Sequence, residues 1–213
     1  MKIVSISDTH GFHDSIEMPE GDVLIHCGDM SRIGHVNELK EFNRWLGEQA
    51  YDHKLVIAGN HDMLFEAHPS VARAIMSNCT YLQDSSVTID GVKFYGAPWQ
   101  PEFFSWAFNL PRGPELAAKW AQIPDDTNVL ITHGPPYGFL DMNKEGIKCG
   151  CRDLIDRIKN LQELKLHVFG HIHEGAHQWY GQGTYPRALP TFVNASTCNR
   201  NYKPINPPIV IEL

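Results

Sequence analysis

The stretch Ser5-Ile6-Ser7-Asp8-Thr9-His10 joins a short apolar run to two side chains that bind metals. Four further segments end in the same way: Leu24-Ile25-His26-Cys27-Gly28-Asp29, Val56-Ile57-Ala58-Gly59-Asn60-His61-Asp62, Leu130-Ile131-Thr132-His133-Gly134 and His167-Val168-Phe169-Gly170-His171-Ile172-His173. Each run is rich in Val and Ile and bounded by Gly or polar residues, which predicts a buried strand. In sheets flanked by helices, ligands gather beyond the carboxyl ends of the strands, so five such ends can converge on one site. The pattern predicts an α/β protein with a binuclear metal centre.

Composition narrows the class. With 213 residues, 42% hydrophobic and 20% charged, the chain can bury a sizeable core, and residues 1–213 are expected to form one domain. No charge run, internal repeat or linker marks a boundary. A net charge of −7 and a pI near 5.9 argue against a protein that grips long nucleic acid by its phosphates. Bound divalent cations would nevertheless make the site itself positive, which suits a small phosphate ester. No apolar run approaches the ~18 residues of a membrane span, and Asp8 follows Met1-Lys2-Ile3-Val4 too closely for a cleavable signal. A cytoplasmic protein without a membrane partner is expected. The five cysteines lack zinc-site spacing; Cys149-x-Cys151 reads as a weak metal or redox pair, and free thiols in a reducing compartment are the expected state. The oligomeric state is not legible.

Along the chain, strands are predicted at 2–7, 23–27, 54–58, 129–132, 165–169, 191–195 and 209–213. Val36, Leu39, Phe42, Trp45 and Leu46 follow helical spacing. Residues 63–77 are compatible with helix but contain Pro69; short helices are predicted over 115–122 and 151–161. Val87-Thr88-Ile89 and Val92-Lys93-Phe94-Tyr95 flank Asp90-Gly91, a hairpin signal that makes part of the sheet antiparallel. The segment 98–114 is long and aromatic, with Trp99, Phe103, Phe104, Trp106 and Phe108. It either covers the core or holds a base, and Trp99, Phe103, Phe104 and Arg112 are candidate substrate contacts by position alone. His13 and Asp14 either line the site mouth or sit in a solvated loop.

Asp8, His10, Asp29, Asn60, His133, His171 and His173 supply nitrogen and oxygen donors and no thiolate, a set suited to Mn, Fe, Zn or Ni, with Mn favoured. Residues two apart on an extended segment project to one side, so Asp8/His10 and His171/His173 can each chelate. A carboxylate can bridge two ions, and Asp29 is the expected bridge. Arg32 either faces a substrate phosphate or is a surface residue.

The motifs DTH, GD, GNHD, THG and GHIH resemble those of the calcineurin-like metallophosphoesterases, with every ligand present. YGAPWQPEFFSWAFNLPRG, ITHGPP, VFGHIHEG and NASTCNRNYKPINPPI extend the resemblance, over almost the whole chain, to the metallophosphoesterase-domain-containing branch. That resemblance implies a four-layer α/β/β/α sandwich of two mixed sheets flanked by helices. It implies two divalent ions, one on Asp8, His10, Asp29 and His173 and the other on Asp29, Asn60, His133 and His171. Animal members of the branch can lack a ligand in the last motif; this chain keeps both His171 and His173. The implied activity is phosphodiester hydrolysis, including of cyclic nucleotides, by attack of a metal-bridging hydroxide. Asn60 and His61 would then bind substrate. His61 would protonate the leaving oxygen or clamp phosphate, with Asp62 orienting its imidazole, or else His61 has a structural role beside the ligands. A phosphomonoesterase with the same centre, or a non-catalytic interaction protein on this fold, are the alternatives.

Overall fold

The computed structural model describes residues 1–176 and 189–213, together with the backbone of Gln178–Trp179. Its strands are β1 (Lys2–Ile6), β2 (Val23–His26), β3 (His53–Val56), β4 (Thr80–Tyr81), β5 (Ser85–Ile89), β6 (Val92–Ala97), β7 (Gln100–Pro101), β8 (Asn109–Leu110), β9 (Val129–Thr132), β10 (Leu166–Phe169), β11 (Gln178–Trp179), β12 (Thr191–Asn194) and β13 (Ile209–Glu212). The helices are α1 (Val36–Glu48), α2 (Leu64–Ala67), α3 (Pro69–Ile75), α4 (Pro114–Trp120) and α5 (Arg152–Ile158). Two mixed sheets result, in the orders β13-β1-β2-β3-β4 and β11-β12-β10-β9-β6-β5. Strands β1, β2, β3 and β4 run parallel, as do β6, β9, β10 and β12; β13, β5 and β11 are antiparallel edges.

Three apolar cores separate four layers, because alternate residues of each buried strand point to opposite faces. Ile3, Val23, Ile25 and Leu55 of the first sheet meet Phe94, Val129, Ile131, Val168 and Val193 of the second. The outer face of the first sheet packs Val4, Ile6, Leu24 and Val56 against Leu39, Phe42, Trp45 and Leu46 of α1 and against Phe65 and Ala72 of α2 and α3. The second sheet packs Tyr95, Leu130, Phe169 and Phe192 against Leu116 and Trp120 of α4 and Leu154, Ile155 and Ile158 of α5. The α/β/β/α order implied by the resemblance is therefore present, and the Asp90-Gly91 hairpin forms the β5–β6 edge.

Local differences from expectation have local causes. The helical stretch 63–77 divides at His68, because Pro69 lacks an N–H and fits the first position of a new helix, α3. Segments 80–81 and 98–114 contribute the two-residue strands β4, β7 and β8, too short for a periodic signal. Gly96 marks a close approach of the two sheets: a Cβ there would stand 2.5 Å from Leu82 Cβ and 2.8 Å from Ile57 Cγ2. Among the described residues, no helix is long and apolar enough to cross a membrane.

Two strand histidines are locked inside. His26 accepts from Gly28 N–H at 3.2 Å and donates to Thr9 Oγ1 at 3.0 Å; His167 Nε2 pairs with Thr132 Oγ1 at 2.8 Å. Burial drives both down to a pKa of about 3. Below the ordinary value of 6.5 an unfolded chain binds protons that these rings refuse, so stability falls as pH drops. His167→Gln should reduce the slope of unfolding free energy against pH by about 1.4 kcal/mol per unit between about pH 6 and 4, measured by urea titration. An unchanged slope would show that His167 does not resist protonation.

Candidate metal centre

The carboxyl ends of β1, β2, β3, β9 and β10 deliver the seven predicted donors to one place. The loops after β1 and β2 are zipped together: Asp8 N–H donates to Gly28 O at 2.9 Å and His10 N–H to Asp29 O at 3.0 Å. The same turns force left-handed backbone on side chains that dislike it, with φ of 53° at Asp8, 43° at His10, 57° at Asp29 and 68° at His171. Each such residue costs on the order of 1–3 kcal/mol. Glycines next to the donors remove a different obstacle. A Cβ on Gly59 would lie 2.3 Å from Asp29 Oδ1, and one on Gly170 would lie 2.1 Å from both Asp8 Oδ2 and Ser7 Oγ.

The side chains fall into two groups that meet at Asp29. On one side, His173 Nε2 is 3.4 Å from Asp8 Oδ1 and 3.4 Å from His10 Nε2, while His10 Nε2 is 3.9 Å from Asp29 Oδ2. On the other, His133 Nε2 is 3.4 Å from Asp29 Oδ2 and 2.8 Å from Asn60 Oδ1, and His171 completes a cluster with Asp29 and His133. In each of the groups Asp8/His10/His173, His10/Asp29/His61 and Asp29/His133/His171, the ligand atoms lie within 4.8 Å of one another. Backbone carbonyls fix the rings: Nδ1 of His10 lies 3.2 Å from Ser31 O, that of His133 2.9 Å from Cys27 O, and that of His173 3.0 Å from Asn199 O. A carbonyl only accepts, so each Nδ1 carries a proton and each Nε2 is the ring atom that faces the centre.

Electrostatics show what the cluster lacks. Burial disfavours charge on Asp8 and Asp29, yet His173 holds Asp8, and His133 holds Asp29, well below the usual carboxylate range. Burial likewise works against the two imidazolium partners, but Asp29 lifts His133, and Asp8 lifts His173, to about 9. His171 is pushed down to about 3 by burial and the neighbouring His133, and His10 is lowered by burial. Without a metal, two buried carboxylates thus keep two protons on rings whose Nε2 atoms point at them. Divalent cations would supply that positive charge and free all four rings as donors, so the residues present fit a pair of ions.

Other expected residues are placed differently. Asp62, expected to orient His61, instead accepts from the N–H groups of Gly59, Asp29 and Ser31 at 2.8–3.0 Å, from Met30 N–H and from the Ser31 hydroxyl. It ties the β2 and β3 turns together, and burial and Asp29 raise it to about 6. The His61 ring is oriented by the Arg32 carbonyl, 2.6 Å from Nδ1. The Arg32 guanidinium leans over Phe12 and donates to His10 O, an exposed prop for the β1 turn. Trp99 is held by its N–H on Asp84 and by Lys119 above its ring, and Arg112 donates to the carbonyls of Cys149 and Gly150; both are structural anchors. His13 is buried against Phe42 and Trp45 under α1, and Asp14 pairs with Arg44, away from the site. Cys149 and Cys151 are free thiols, the latter under Trp120 Nε1–H. Phe103 does reach the centre, its ring 5.0 Å from His171; Phe104 is 85% exposed at the rim.

Sequence reasoning missed several contributors. Ser196 Oγ donates to Asp8 Oδ2 at 2.8 Å, Tyr202 stands 4.8 Å from the His10 ring, and Trp106 stacks on His61 at 4.1 Å. Ser196, Asn199 and Tyr202 lie in a polar loop without periodicity, and their only signal was the resemblance of the C-terminal motif.

The family model for calcineurin-like phosphoesterases matches residues 1–175, which carry all seven donors. The chain belongs to the calcineurin-like phosphoesterase family. Human metallophosphoesterase domain-containing protein 1 is 46% identical over 236 residues, covering 100% of this chain and 71% of its own length, and the mouse protein gives the same values. Those proteins place the chain in the metallophosphoesterase-domain-containing branch. Among solved structures, TT1561 of Thermus thermophilus shares the fold with a TM-score of 0.59 at 14% identity, over 91% of this chain and 88% of its own. Calcineurin-like phosphoesterases use a binuclear metal centre, and the histidine–carboxylate groups around Asp8 and Asp29 supply its candidate ligands here. The close approach at Gly170 makes that arrangement fragile. Gly170→Ala should lower Mn²⁺ affinity by at least about tenfold, read by calorimetry and metal content, with the circular dichroism of the fold retained. Wild-type affinity in that variant would show that Asp8 can move without loss.

Proposed function

We propose that this metal-dependent phosphoesterase hydrolyses small phosphodiesters with a nucleotide-like arm, with His61 as the proton donor to the leaving oxygen. One ion would be held by Asp8, His10, Asp29 and His173 and the other by Asp29, Asn60, His133 and His171, with Mn²⁺ the first choice. When bound, two such ions supply Lewis acidity, lowering the pKa of water and offsetting charge on the phosphoryl oxygens. The rest of the task falls to the chain.

The observation that carries this reading is the setting of His61. It lies outside both proposed ligand sets, yet its N–H donates to Asp29 Oδ1 at 2.8 Å and its Nε2 lies 4.0 Å from Asp29 Oδ2. With Nδ1–H donated to Arg32 O, Nε2 is the ring atom turned toward the site, through which a proton would pass to the leaving oxygen. Trp106, stacked on the ring, and the edge of His10, 4.7 Å away, restrict its rotation. An alkoxide leaves phosphorus poorly unless protonated, so an imidazole fixed here is worth about 10²–10⁴ in rate.

The cleft around His61 measures about 390 Å³ and is walled by Phe103, Phe104, Trp106 and Tyr202. Such faces suit the flat base or aryl group of a diester better than a bare phosphate. Lys144 and Arg200 line the cleft together with Glu174, and the two cations are the feature on which a phosphomonoesterase reading would draw.

Mn²⁺-loaded protein should hydrolyse bis(p-nitrophenyl) phosphate faster than p-nitrophenyl phosphate, and Asp29→Ala should abolish both. His61→Ala should keep its metal but lose about 10²–10⁴ in kcat on an alkyl diester, and far less on the nitrophenyl diester, whose leaving group needs no proton. Equal losses on both would remove His61 as the proton donor, and preference for the monoester would move the assignment to phosphatase.

A further inference from the structure

A second cavity, of about 420 Å³, adjoins the first. Phe103 and His171 line both, so a ring standing 5.0 Å from a candidate metal ligand is the partition between them. The apolar lining of the second cavity is Pro101, Pro135, Ile147 and Ile172, and Glu102, Arg112 and Lys148 are its charged residues. Its walls are built in advance. Arg112 is pinned by donation to Gly150 O and Cys149 O, each at 2.8 Å, and the rim turn is set by Asn143 Oδ1, which accepts Ile147 N–H at 2.9 Å and Glu145 N–H at 3.1 Å. His61 and Trp106 line the first cavity and not the second.

The position of His61 fixes which arm goes where. In diester hydrolysis a water oxygen bonds to phosphorus, the bond to one ester oxygen breaks, and that oxygen takes a proton while the other arm stays on as a monoester. The proton donor lies on the first cavity's side, so the departing arm belongs there. The geometry points to the second cavity as the seat of the arm that remains on phosphorus, a flat, mainly apolar group of aryl or heteroaryl size. The inference rests on the diesterase reading and deepens it: the second cavity is the subsite for the retained arm of an acyclic diester.

Two substrates with the same leaving group isolate the retained arm: bis(p-nitrophenyl) phosphate and methyl p-nitrophenyl phosphate. Ile147, 58% exposed at the rim, can be exchanged for Trp to narrow the second cavity without disturbing the core. In Mn²⁺-loaded protein, Ile147→Trp should reduce kcat/KM for the bis compound about tenfold more than for the methyl compound, mainly through KM. A second readout needs no turnover. Cys149, a partly exposed free thiol in the cavity wall, should be alkylated by iodoacetamide at least about threefold more slowly with saturating diphenyl phosphate present, while Cys79 is unaffected. Equal losses on both esters, with Cys149 unprotected, would overturn the assignment. Protection of Cys149 in a protein that hydrolyses no diester would sink the diesterase reading and leave the cavity's ligand class standing.

Discussion

Two ionised carboxylates buried at the mouth of a sandwich are the constraint from which the rest of the arrangement follows. Asp8 and Asp29 are almost fully inaccessible, and neither has a Lys or Arg partner among the described ion pairs. Carboxylates in that position are costly unless positive charge is supplied locally. The chain supplies imidazoles, which exchange a proton for a metal, rather than fixed cations, which cannot. That choice separates a structural ion-pair cluster from a metal centre, and it explains why the backbone accepts left-handed turns at Asp8, His10, Asp29 and His171.

The same constraint reaches outward through carbonyls and amides. Ser31, Cys27 and Asn199 each hold a ring nitrogen, and Asp62 draws the N–H groups of two turns together, so the donors move only if several loops move. Because the sheets approach closely at this end, neighbouring residues had to shed their side chains, as at Gly59 and Gly170. Rigid placement of this kind lets a phosphate be held between fixed charges without reorganisation during reaction.

Much of this was legible in the sequence because two independent regularities coincide in it. Short Val- and Ile-rich runs mark buried strands, and each relevant run ends in a donor, so ligands and strands identified one another. The hairpin at Asp90-Gly91 was equally plain from its turn chemistry. What stayed hidden depends on tertiary placement. Asp62 follows His61 in sequence, but adjacent residues in a turn point apart, and its carboxylate meets backbone from β2 instead. Trp99 and Trp106 look alike in one aromatic loop, yet one is anchored by Asp84 and Lys119 and the other stacks on His61. Ser196 and Tyr202 reach the centre from a loop with no period to read.

The bond between Ser196 and Asp8 spans 188 positions of the chain, and β13 closes the first sheet by pairing with β1. Contacts this distant in sequence form late, because a long loop must close before they gain anything. During synthesis, at ~5–20 residues per second, Asp8 would wait roughly 10–40 seconds for the segment that completes its surroundings. Through that interval the nascent chain presents an Asp-x-His pair without the partners that give it selectivity. The surroundings of Asp8 are therefore complete only once the segment around Ser196 has been made and folded back onto β1.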